Sequence, residues 1–147
     1  MLLALLLQAA APHQRPPEPP PCIIPGAKTE RTCFALKPQR VYRGVWINYF
    51  EGQMFVEGAH EIAQIDRRKT YPWFSTYDPL KPFVRPGVVL GRGYVFGHGY
   101  RVRFLGREAQ DMDRKPLMGY GHFGMFPGLV ILDEMLELED LGPMPMG

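Results

Sequence analysis

Sixteen glycines and sixteen prolines punctuate a chain of 147 residues. Proline removes a backbone donor and glycine weakens a helix interior, so a bundle of long helices is excluded. Between these breaks lie short runs of aromatic and β-branched residues, the composition of strands joined by turns. Apolar residues make up 46% of the chain, enough for a packed core. No apolar run reaches the roughly 18–20 residues that a membrane-crossing helix needs.

The chain opens Met1-Leu2-Leu3-Ala4-Leu5-Leu6-Leu7-Gln8-Ala9-Ala10. An apolar run ending in small residues reads as a secretory signal peptide over 1–10, cut after Ala10, although no Lys or Arg precedes the leucines. Seven prolines follow within residues 12–25, a composition that reads as an extended, polyproline-like spacer. Cys22 and Cys33 are the only cysteines, with ten residues between them. In an exported chain such a pair reads as one disulfide, contributing about 3 kcal/mol by restricting the unfolded state. The expected organisation is therefore a leader, a Pro-rich linker with a disulfide-closed loop over 11–36, a folded body over 37–141 and a flexible tail over 142–147. A periplasmic or secreted location follows, with no membrane span once the leader is removed.

Within the body, Val41 to Phe50 is the first strand signal, Glu51-Gly52-Gln53 a turn and Met54-Phe55-Val56 the return strand. Ala59 to Lys69 allows a short helix. Residues 70–87 read as a loop, because four prolines interrupt them. Val88-Val89-Leu90 and Tyr94-Val95-Phe96 read as a hairpin or a bulged strand. Tyr100 to Phe104 alternates apolar and basic residues, so Arg101 and Arg103 should face water. The last element, from Leu129 to Leu141, suits either period but favours strand. The fold class expected is all-β, with at most a short helix: a small antiparallel Greek-key barrel of the OB type, or a two-layer sandwich.

Several catalytic and ligand motifs are present in form only. Gly119-Tyr120-Gly121-His122-Phe123-Gly124 matches G-x-G-x-x-G but leads into Pro127-Gly128, not into the helix that would hold a pyrophosphate. His60-Glu61-Ile62-Ala63-Gln64 has Gln64 where a zinc helix needs its second imidazole. Ser75 is the only serine, and Phe74-Ser75-Thr76 is not a nucleophile elbow. No cofactor, resident metal or catalytic residue is expected.

Three groups of residues remain. Tyr71, Trp73, Phe74 and Tyr77, with Phe83, either cap the barrel or form a stacking platform. His98 and His122, each beside glycine, either hydrogen-bond within turns or, near an acid such as Asp111 or Asp113, act on a metal or a proton. Finally, basic residues dominate the middle of the chain, while residues 133–140 hold five acids and no base. Arg92, Arg101 and Arg103 on a barrel face suit a nucleic acid, but the acidic last strand, if it is their neighbour, would neutralise them. The net charge of +2 gives no independent reason for a polyanionic partner. The expected function is a non-catalytic exported module binding a protein or small ligand through Tyr71, Trp73, Phe74, Tyr77, His98 and His122. A His-dependent metal protein or enzyme is the alternative, and a cytosolic single-strand nucleic-acid-binding barrel comes third.

Overall fold

Alternation of inward and outward side chains builds the core. In β1 (Arg40–Asn48), Tyr42 and Trp46 point into one cluster, whereas Val45 and Ile47 point into another. The structure is a computed structural model and describes residues 30–76, 83–84 and 95–145, with backbone alone at 83–84. A four-residue helix α1 (Glu30–Cys33) precedes six strands: β1, β2 (Met54–Glu57), β3 (Trp73–Ser75), β4 (Phe83–Val84), β5 (His98–Glu108) and β6 (Leu129–Pro143).

These strands form one sheet in the order β3-β2-β1-β5-β6-β4. A further pairing of β3 with β6 turns the five longer strands into a ring, β1-β2-β3-β6-β5 and back to β1. The ring is antiparallel except at β3–β6, where Phe74 lies beside Val130. The protein is thus all-β and barrel-like. Closing the ring leaves few strand edges open to other chains.

Tyr42, Trp46, Phe55, Phe74, Tyr100 and Phe104 fill the interior with Val102, Val130, Leu132 and Met135. Rings stack or meet edge-on throughout; Tyr42 lies 5.2 Å from Phe104 and nearly parallel to it. Register shifts along β5–β6 change the inward residues of β6 from Val130 and Leu132 to Met135. Gly44 and Gly106 mark close strand approaches: a Cβ at either would strike a carbonyl and an aromatic ring. Outside the ring, Val45, Ile47 and Val56 pack under Ala59 and Ile65 of the β2–β3 connection. A third cluster, Ala109, Tyr120, Leu129 and Ile131, lies under the β5–β6 connection with Phe34 and Leu36.

Several expectations change. Residues 70–87 contain β3 and β4 rather than loop alone. The prolines flank these strands instead of interrupting them, and Pro72, lacking an N–H, still accepts a bond from the Phe55 amide at 3.0 Å. The short helix within 59–69 reduces to a single 3-10 turn, Ile62–Gln64. The last element is strand throughout. The packed body is also longer than 37–141. Arg31 pairs with Asp133 and donates to the Leu132 carbonyl at 2.7 Å, Phe34 meets Tyr120 edge-on, and Met144 is buried. The leader, most of the linker, Cys22, Tyr77 and the 88–94 part of the expected hairpin lie outside the described residues. Among the described residues no helix is long and apolar enough to cross a membrane.

Candidate functional site

Two connections between strands meet at one rim of the ring. The β1–β2 turn carries Phe50 and Glu51; the β5–β6 connection, 109–128, carries His122 and Phe123. His122 Nε2 lies 3.2 Å from a Glu51 carboxylate oxygen and ties the two together. The β5–β6 connection is held from inside. Tyr120 and Phe126 exchange two backbone hydrogen bonds, at 2.8 and 3.1 Å. The buried Tyr120 hydroxyl donates to the Asp111 carbonyl, and Phe126 packs on Trp73 with ring centroids 5.0 Å apart.

From this anchored base, large apolar side chains project outward. Phe123 is 76% exposed and Leu117 77%, joined by Met118 and Met125 on the same connection. Phe50 is 72% exposed and meets Phe96, itself 62% exposed, edge-on at 5.7 Å. Phe123 stands edge-on to His122 at 3.9 Å. Two of the most exposed members also occupy backbone that L-residues avoid: φ is +70° at Leu117 and +52° at Phe123. A bulky residue there costs stability in the free protein without packing that repays it.

The residues expected to bind are distributed differently. Phase of the strand puts Phe74 wholly inside the core, so it is a core wall and not a ligand contact. Trp73 is half-buried beneath Gly121, where it supports the rim. Tyr71 latches the β2–β3 connection: its hydroxyl accepts from the Asp66 amide and donates to the Asp66 carbonyl, at 3.0 and 3.2 Å. His98 Nδ1 lies 2.9 Å from Asp140, whose carboxyl is held below its ordinary range first by the Gly142 amide and also by His98. The two imidazoles therefore engage different carboxylates, Asp140 and Glu51. Asp111 accepts from Arg114 and from the Asp113 amide. Among the described residues no three His, Cys, Asp or Glu side chains gather as metal ligands.

On the outer face, Arg101 pairs with Glu139 and Arg103 with Glu137, each directly across β5–β6. The acidic last strand does neutralise part of the basic one. Of the rim residues, sequence reading singled out only His122. In the sequence Phe50 ends the first strand signal and Phe123 lies within the G-x-G-x-x-G match. The available signal was a phenylalanine beside Glu51-Gly52 and another between His122 and Gly124, positions where turns leave side chains outside. Comparison with protein-family models, curated proteins and solved structures gave no match.

Proposed function

We propose that the chain is an exported, non-catalytic binding module whose contact surface is the rim formed by Phe50, Phe96, Leu117 and Phe123. One observation carries this reading: exposed apolar side chains stand on connections tied by His122 and Glu51, two of them, Leu117 and Phe123, on strained backbone. Scattered exposed apolar residues need no explanation, but a cluster of this kind marks an interaction surface. Large side chains on loop tips suit a protein partner, which can enclose each in a pocket. The corresponding loops of OB-type barrels are where ligands are commonly held, a likeness of architecture only.

Export rests on the apolar first ten residues and the Pro-rich spacer. A Cys22–Cys33 bridge would fasten that spacer to α1, which Arg31 holds against Asp133. The mass of the protein purified from its host tests this part: a mature chain beginning at Ala11, two mass units lighter than its reduced form, supports it. An intact Met1 terminus with two alkylatable thiols contradicts it.

A photo-cross-linking residue placed at position 123 tests the surface, with position 139 on the ion-paired strand face as the comparison. Adducts of discrete mass from 123 and not from 139 support the rim. Equal labelling from both positions, or none from 123, removes it.

A further inference from the structure

The outer face of β1, β5 and β6 carries a groove of about 350 Å³ with an uneven balance of charge. Strand register places Arg43 directly opposite Arg103 across β1–β5. Like charges in that relation repel, so the pair lowers the stability of the sheet. Arg103 is compensated on its other side by Glu137, and Arg101 by Glu139. The Arg101 Nε also donates to the His60 carbonyl at 2.8 Å, which brings the β2–β3 connection to the edge of the groove. Arg43 is exposed and has no side-chain partner among the described residues. One guanidinium fork is thus left open beside a second that is only half engaged.

We propose that this groove binds a small molecule bearing a phosphate or carboxylate group, held between Arg43 and Arg103. A planar guanidinium offers paired N–H donors matched to such oxyanions. The bound anion would remove the Arg43–Arg103 repulsion, so binding and sheet stability are coupled. The groove is larger than one oxyanion requires, and the remaining space beside His60 would take the body of the ligand. This site is separate from the rim and does not depend on it.

NMR titration of the full chain tests the assignment, with inorganic phosphate, glycerol phosphate and succinate as probes. Saturable shifts at Arg43, Gly44 and Arg103 are expected, together with a rise in unfolding temperature. Tighter binding of glycerol phosphate than of inorganic phosphate identifies a phosphate ester; preference for succinate identifies a carboxylate. Arg43→Gln should weaken binding at least tenfold while leaving the fold intact or slightly more stable, since it removes a like-charge contact. Glu137→Gln should tighten binding severalfold by freeing Arg103. Shifts that do not saturate, that spread evenly over all arginines, or that persist in Arg43→Gln would overturn the proposal.

Discussion

Gly121 lies flat against the indole of Trp73, so that a Cβ at this position would overlap the ring. The same residue has φ of +65°, which L side chains rarely adopt. Space and backbone conformation therefore demand glycine together. Gly121→Ala should destabilise the protein by about 2–4 kcal/mol, combining strain and overpacking. Trp73→Ala should cost roughly 2–3 kcal/mol, because it removes half-buried support from Phe126 and the rim. Chemical denaturation measures both; a cost under 0.5 kcal/mol for either would mean that Trp73 does not hold the connection.

Tyr42 presents a different situation. Its ring stacks on Phe104 inside the core, yet its buried hydroxyl has no hydrogen-bond partner among the described residues. Burial first, and then the nearby Glu108 carboxylate, pushes its pKa up to about 12, with Arg40 opposing part of the rise. Tyr42→Phe keeps the ring and removes the unpaired group, so stability should rise by about 1 kcal/mol. A loss of stability would show that the hydroxyl is solvated or bonded in solution.

Acid should weaken the fold through carboxylates lowered on folding, Asp133 and Glu108 among them. Burial alone would raise Asp133, but hydrogen bonds from Gln39 and Arg31 and the charges of Arg31 and Arg107 outweigh it and hold the carboxyl down. Glu108 is lowered in the same way: burial opposes, while Lys37 and Arg40 prevail. For an acid lowered on folding, the stabilisation is present above the unfolded value, near 4, and disappears as pH falls through the folded one. Glu30 acts in the opposite sense. Burial raises its carboxyl, with the Ser75 hydroxyl offsetting part, so its ionisation weakens the fold at neutral pH. Thermal unfolding between about pH 2 and 8 should show Asp133→Asn less stable than the parent at neutrality and converging with it in acid. Glu30→Gln should be more stable at neutrality and also converge in acid. Parallel curves for parent and variants would contradict these assignments.

The exposed residues on left-handed backbone should separate folding from binding. Phe123→Gly relieves the strained φ and gives up a ring contact with His122. Stability should be unchanged or improved by up to about 1 kcal/mol. Removing the exposed ion pairs, by contrast, should matter little: Glu139→Gln is expected to cost about 0.2–1 kcal/mol. A large loss from Phe123→Gly would mean that its side chain packs in solution and is not held out for a partner.

Residues 100–104 announced themselves because period-two alternation is a local property, and β5 buries Val102 and Phe104 as that pattern requires. The pairing of Arg101 and Arg103 with the acidic last strand could be anticipated from charge alone once those strands were taken as neighbours. β3 could not be read in the same way. Three residues between prolines carry no periodicity, and their strand state is imposed by β2 on one side and β6 on the other. Closure of the ring depends on that non-local contact. Phe74 stays open between a barrel cap and a stacking platform for the same reason: with no strand recognised, no inward phase can be assigned. The rim escaped notice because exposure of Phe50 and Phe123 follows from how two distant turns meet through Glu51 and His122.

The rim is the centre of the account, and cross-linking yield in a folded variant tests it most directly. With the photo-reactive residue at position 117, Phe50→Ser combined with Phe123→Ser should abolish adducts formed by the parent, while the denaturation midpoint stays within error of the parent or rises. Undiminished adducts in the folded double variant, or a midpoint that collapses because these rings belong to the core, would contradict it.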